Sequence, residues 1–250
     1  MKFENTEVWG FEHSLRGMRN PKNSWYKSDS FNCLKTLSRK HCSEFCKNFD
    51  TDRCYMYRNG NEPFIIGDND MKLAQTLIKA GNEHRKFMRQ IFVSVDITAP
   101  LYLWKEFDTY KVGTVANSTS TMHKITSQPI TLECFEIDDY EKDLKFLEIY
   151  DSDIEVDYST VDFEVYKLIN FLENLRQKYL ETKDKRYWKE LIRWLPESWL
   201  QKRTITMNYE NIRNMYFQRR NHKLTEWSES FIKWVESLPY AKELIMHDSK

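Results

Sequence analysis

The sequence predicts a helix-rich α+β domain around a small sheet, and two patterns carry that prediction. Apolar residues recur every three or four positions in several stretches, which places them on one face of a helix. In one stretch the period drops to two and β-branched residues dominate, as in a half-buried strand. Hydrophobic residues make up 40% and aromatics 15% of the 250 positions, enough apolar surface for a sizeable core, so a disordered chain is excluded. All of it, 1–250, is read as a single domain.

Through about Gly67 the chain is polar and aromatic, and Pro21, Pro63 and Asn59-Gly60 break it. Its basic segment 15–25 shows no clear period, and the whole stretch is expected to be loops with short helices. Met71, Leu73, Ala74, Leu77 and Ile78 then follow helical spacing, with Asn69 or Asp70 as N-cap and Gly81 as the left-handed residue past the end. Ile91, Val93, Val95 and Ile97 alternate with other residues and predict a strand over 90–97. Pro100 suits a first helical turn, so this strand is expected to feed into a short helix.

Segment 130–158 is acidic and reads as an insertion or surface excursion. After it, Ser159 and Asp162 have capping-box spacing ahead of a long amphipathic helix carrying Val161, Val165, Leu168, Leu172 and Leu175. A further helix is expected over about 184–195, ended by Pro196, then a short strand over 204–207. Ile212, Met215, Tyr216 and Arg219 share the face of a following helix, and a last helix carries Leu224, Trp227, Phe231, Trp234, Val235 and Leu238.

Composition narrows the function classes. Lys+Arg and Asp+Glu both number 38, so net charge selects no partner, nucleic acid included. The 6 glycines are scattered, which excludes a glycine-rich phosphate loop, because backbone cannot approach a phosphate that closely past a row of Cβ atoms. No apolar run approaches the ~18–20 residues of a membrane span, and MKFENTEVWG has no apolar leader core, so no membrane is expected and a cytoplasmic location is. Cys33, Cys42, Cys46 and Cys54 cluster with His41 but lack paired C-x-x-C knuckles, and are read as free thiols rather than a metal centre. No serine or cysteine nucleophile signature and no metalloprotease motif occurs.

Two polar stretches are candidates for chemistry. Segment 109–124 crowds Thr109, Lys111, Thr114, Asn117, Ser118, Thr119, Ser120, Thr121, His123 and Lys124 together. Such donors suit an anion, and they equally suit the backbone groups of a polar loop. Segment 207–222 places Asn208, Asn211, Arg213, Asn214, Gln218 and Arg219 along one helix, able to read a planar ring edge or simply to face water. The two segments are expected to lie against each other across one pocket.

Taken in order, these stretches resemble the flavin-dependent thymidylate synthases. The first follows that family's order of helix, histidine turn, strand, Ala-Pro and signature segment. Registered on Ala99-Pro100, the family's basic triplet becomes Thr109, Tyr110 and Lys111. Its first Ser falls at Thr114, its Asn-Glu pair at Ala116 and Asn117, its second Ser at Thr119, and its Arg-Tyr at Thr121 and Met122. The second stretch keeps the family's asparagine, asparagine and arginine spacing at Asn208, Asn214 and Arg219, with Glu210 where the family has an arginine.

The resemblance implies a homo-oligomer, tetrameric in the family. It also implies C5 methylation or hydroxymethylation of a deoxyuridine nucleotide such as dUMP, with FAD as cofactor and methylenetetrahydrofolate as carbon source. Under it Arg219 polarises the pyrimidine, while His84, Lys111, Asn208 and Asn214 hold the flavin. Thr114, Asn117, Ser118, Thr119, Ser120 and Thr121 face the nucleotide, joined by Arg219. Losing two cations of the triplet predicts weak flavin binding and a nucleotide as the more robust ligand, with Lys111, Arg16 and Arg19 as candidate replacements. The alternative is a non-catalytic protein on the same scaffold that holds or sequesters a nucleotide or a nucleotide-derived signal.

Overall fold

The computed structural model describes residues 1–32, 64–149 and 156–247; the cysteines at 33–54 and His41 lie outside the described residues. The chain gathers into two compact units, one of residues 1–97, 106–117 and 203–250, the other of residues 98–105 and 118–202. The described elements are helix-rich, with two two-stranded ladders and one four-stranded sheet, in the order β1 (Lys2–Trp9), β4 (Phe92–Pro100), β8 (Leu200–Asn208), β5 (Val115–Ser118).

The first unit opens with strand β1 (Lys2–Trp9) and helix α1 (Phe11–Arg19), where the sequence had suggested loops with short helices. β1 is an edge strand with only Val8 buried, and Asn5 at φ 51° interrupts its alternation. In α1 a helical period does exist, since Phe11, Leu15 and Met18 are buried, but the buried Arg19 beside them hides it from a reading of apolar residues alone.

Strands β2 (Phe31–Asn32) and β3 (Phe64–Ile65) pair antiparallel ahead of helix α2 (Asp68–Lys79). This helix starts two residues before the expected point, with Gly67 as N-cap. The cap comes from a distance: the Asp29 carboxylate accepts from Asn69 N at 2.9 Å and Asp70 N at 3.1 Å. Asp70 is thereby free to turn inward as a buried ion-pair partner. Gly81, at φ 104°, follows the helix end as expected.

Strand β4 (Phe92–Pro100) carries the predicted alternation, with Val93, Val95, Ile97 and Ala99 buried. Pro100 closes the strand and helix α3 (Leu101–Phe107) follows at once. Strand β5 (Val115–Ser118) is exposed along its length. Strand β8 (Leu200–Asn208) is longer than the predicted 204–207 and leads directly into helix α7 (Tyr209–Arg219), whose Tyr209, Ile212, Met215 and Tyr216 face the core.

The last predicted helix is two pieces, a π-helical turn over Glu226–Phe231 and helix α8 (Ile232–Glu236), with Trp227, Phe231, Trp234 and Val235 buried. Aromatic rings tie the C-terminal part of this unit to the beginning of the chain: Phe3 stacks on Trp234 at 4.6 Å, and Phe11 meets Tyr209 and Tyr240 edge-on.

The second unit has its own core of Ile125, Ile130, Phe135, Leu172, Leu191 and Trp199. Two successive helices contribute Leu172 and Leu191 to it: α5 (Val161–Thr182) and α6 (Lys185–Arg193), with Lys183 left-handed at φ 58° in the turn between them. A short helix α4 (Thr121–Lys124) stands before them, as does the ladder of β6 (Lys145–Ile149) and β7 (Val156–Thr160) within the acidic segment. The cap of α5 sits one residue later than expected. Thr160 Oγ1 accepts from Phe163 N at 3.3 Å, because β7 runs through Thr160 and Ser159 donates instead to Glu164 at 2.7 Å.

Candidate functional site

Helix α7 organises the polar groups of the first unit. Its N-terminus is closed by a reciprocal capping box: Asn208 Oδ1 accepts from Asn211 N at 3.0 Å, and Asn208 N donates to Asn211 Oδ1 at 3.4 Å. Asn211 Nδ2 then donates to Val112 O at 2.6 Å, docking the turn that follows Lys111 onto the helix. That turn requires Gly113. Its φ is 76°, and a Cβ would meet Asn208 Nδ2 and Asn211 Oδ1, each at 3.0 Å.

At the other end of α7 stands a network built on Arg219. Its Nε donates to Tyr110 Oη at 2.9 Å and its Nη1 to Glu106 Oε2 at 2.8 Å. Tyr110 Oη donates onward to Gln218 Oε1 at 2.8 Å. Glu106 Oε2 also accepts from Trp227 Nε1 at 2.9 Å, and His222 Nε2 lies 3.6 Å from it. The guanidinium sits over the Trp227 ring at 4.9 Å and the Tyr110 ring at 5.5 Å. Trp227 is itself stacked on Phe107, so the arginine is held between rings rather than left to roam in solvent.

A third group lies along the flank of α7. The buried Glu210 accepts from Arg85 Nε at 3.0 Å, and Arg89 Nε lies 3.4 Å from its second oxygen. Arg85 Nη2 reaches Asn214 Oδ1 at 3.5 Å. Arg213 donates to Ile245 O and His247 O, both at 2.6 Å, and anchors the C-terminal segment rather than a ligand.

The residues selected from the sequence are distributed among these groups. Arg219 is central to one. Asn208 is buried and its side chain caps a helix. Asn214 is exposed beside Arg85, and Lys111 and Asn117 are exposed. Thr114 Oγ1 donates to Tyr110 O at 2.9 Å and Thr109 Oγ1 to Glu106 O at 2.7 Å, so both hydroxyls serve local turns.

His84 is exposed and lines a cavity of about 530 Å³ with Lys22, Lys86, Glu83, Met18 and Phe87. Its neighbour Arg85, rather than His84, reaches α7. Arg19 is committed to Asp70 and does not replace a lost cation of the triplet.

Of the expected facing segments, residues 110–113 do lie against α7. Ser118, Thr119, Ser120 and Thr121 belong to the second unit. There Ser120 caps α4 and contacts His123 Nδ1 at 2.6 Å. Gln201 Nε2 donates to Thr119 O at 2.9 Å and reaches Thr121 Oγ1 at 3.4 Å. Sequence reasoning passed over Glu106 and Arg85, and it read Trp227 as core, which it is, without its bond to Glu106. Asn211 was visible as a polar residue, but the Asn-x-x-Asn capping spacing that explains it went unused.

No family model matches the chain, and neither does any curated protein. Solved structures do. The flavin-dependent thymidylate synthase ThyX from Helicobacter pylori, complexed with FAD and dUMP, aligns with TM-score 0.60 and 14% identity over 98% of this chain and 97% of that one. The UMP/dUMP methylase PolB from Streptomyces cacaoi, bound with 5-Br UMP, aligns with TM-score 0.50 and 14% identity over 73% of this chain and 84% of its own. Among the described residues no helix is long and apolar enough to cross a membrane, and no cluster of ligating side chains suits a metal ion. The chain has the fold of the flavin-dependent thymidylate synthases.

Proposed function

We propose that the protein binds a pyrimidine nucleotide of the deoxyuridine type at the C-terminal end of α7. The observation that carries this reading is the near full-length likeness to a synthase complexed with FAD and dUMP. Of the residues that the sequence resemblance selected, Asn208, Asn214 and Arg219 lie in or next to one helix. In this reading Arg219 meets the pyrimidine, and exposed polar side chains such as Asn117 face the rest of the nucleotide.

The residues present do not fit a tightly held flavin. Asn208 is engaged in capping α7, Thr109 and Tyr110 are engaged around Glu106 and Arg219, and Glu210 adds a buried carboxylate beside Arg85. Lys111 alone remains of the basic triplet, and one exposed lysine neutralises a diphosphate poorly. C5 methylation with methylenetetrahydrofolate is the second reading, favoured by the retained Asn208, Asn214 and Arg219 spacing.

Equilibrium dialysis with dUMP and with FAD separates the readings. Saturable uptake of dUMP with weak uptake of FAD is expected. Stoichiometric tight FAD, visible as yellow protein, favours methylation, and failure of dUMP to bind overturns the nucleotide reading.

The protein is also proposed to assemble with itself. Val112 in the first unit is 88% exposed, and Phe163, Tyr166 and Phe171 stand exposed on α5 in the second. Light scattering that returns the monomer mass across the micromolar range would exclude assembly.

A further inference from the structure

The Arg219 network holds an anion of its own, the carboxylate of Glu106. Glu106 Oε2 takes donors from Arg219 Nη1 at 2.8 Å and Trp227 Nε1 at 2.9 Å, with His222 Nε2 at 3.6 Å. Two donors converging on one oxygen are what a phosphate or carboxylate ligand would need, and here a side chain of the same unit fills the place. Tyr110 and the Trp227 ring hold the guanidinium on its other sides. Among the described residues Arg219 Nη2 and Glu106 Oε1 make no hydrogen bond, and the two side chains are 17% and 35% exposed. A donor and an acceptor are therefore left on one solvent-accessible ion pair.

We infer that Glu106 is the specificity-determining residue of this site: it occupies the anion position on Arg219, bars a ligand phosphate from it, and leaves the pair to meet a neutral ring edge. A lactam or imide edge offers a carbonyl to the arginine and an N–H to the carboxylate, matching the two free positions. A phosphate brought to the same place would face the Glu106 charge, and like charges so juxtaposed are strongly disfavoured. The inference rests on the proposed nucleotide reading only in naming the ring; the exclusion of anions rests on the contacts themselves.

The test is calorimetric titration of inorganic phosphate into the wild type, Glu106→Gln, Glu106→Ala and the double variant Glu106→Gln/Arg219→Gln, at one pH and low salt. Both single variants are expected to bind phosphate about tenfold or more tightly than the wild type, and the double variant is expected to lose that gain. The alanine variant keeps the measurement informative if the glutamine variant does not fold. Single variants that gain nothing overturn the inference, as does a gain that survives loss of Arg219. Because phosphate is the probe, these outcomes stand whether or not dUMP binds. Failure of dUMP on every variant, with the phosphate gain present, removes the nucleotide reading and leaves the anion exclusion.

Discussion

Two arginine–carboxylate pairs in the first unit use the same chemistry to opposite ends. Arg19 Nε meets Asp70 Oδ1 at 2.5 Å with the side chains 4% and 0% exposed, whereas the Arg219–Glu106 pair is 17% and 35% exposed. Around Asp70 the other carboxylate oxygen is also taken, by Ser28 Oγ at 2.6 Å, Ser30 Oγ at 2.5 Å and Ser30 N at 3.2 Å. Around Glu106 one oxygen stays open, as does Arg219 Nη2. An ion pair removed from water must have its remaining hydrogen-bonding capacity filled, because each unmet bond is costly there. One at the edge can leave groups to water, and those are the groups a ligand can take over.

The closed pair gives the largest expected effect. Asp70→Ala leaves Arg19 buried without a counter-charge, and a loss of about 3–5 kcal/mol in unfolding free energy is expected by urea denaturation. Burial pushes the Asp70 carboxyl up, but hydrogen bonds from Ser28, Ser30 and Arg19 and the Arg19 charge outweigh it and hold it below the ordinary 3.8. Its contribution is therefore full above the unfolded value and fades as pH falls through the folded one. A stable Asp70→Ala variant would break the contrast with Glu106 at its stronger end.

The second unit supplies an intermediate case. Arg176 donates from Nε and Nη2 to the two oxygens of Glu173, at 2.8 and 2.7 Å, and from Nη1 to Thr126 O at 3.1 Å; Ile130 N donates to the same carboxylate at 2.8 Å. The Arg176 hydrogen bonds, working against burial, bring the Glu173 carboxyl from 4.5 down to about 2. Because the folded value is the lower one, this stabilisation is present above about pH 4.5 and is lost as pH falls toward 2. Glu173→Gln is expected to cost on the order of 3 kcal/mol at neutral pH and to flatten the acid limb of the stability profile. An unchanged acid limb would show that the pair contributes nothing.

Legibility in the sequence followed the same division between apolar and polar burial. Helix α2, strand β4 and helices α5 and α6 were readable because Ala74, Ile78, Val93, Val95, Leu172 and Leu191 are apolar and repeat at the right period. Strand β1 was not, because an edge strand with one buried residue leaves no alternation to see. Arg19, Asp70, Arg176 and Glu210 are buried charges that hydropathy assigns to the surface.

The candidate site was legible as a set of segments but not as roles. Asn208 and Arg219 were selected, but only coordinates show one capping a helix and the other paired with Glu106. Ser120 and Thr114 have hydroxyls engaged locally, the blander of the two readings open to a hydroxyl-rich stretch.

The turn that brings Tyr110 to Arg219 is the next place to perturb the comparison. Gly113→Ala forces an L side chain into φ 76° and presses its Cβ against Asn208 and Asn211. A destabilisation of about 1–2 kcal/mol is expected from the left-handed backbone, read by thermal or urea unfolding. A neutral substitution would mean that the turn is not held against α7.

The smallest effect is expected at the open pair, and it is the one that decides what the pair is for. Glu106→Gln keeps an acceptor for Trp227 Nε1 and the size of the side chain, and removes only the charge facing Arg219. A partly exposed pair contributes about 1 kcal/mol, because both ions stay in reach of water. Urea unfolding of Glu106→Gln should therefore stay within that margin of the wild type, while Asp70→Asn, the same exchange in the closed pair, falls well outside it. If the two isosteric variants lose equal stability, Glu106 is part of the scaffold. If only Asp70→Asn does, the Arg219 network tolerates loss of its internal anion, as a place that exchanges partners must.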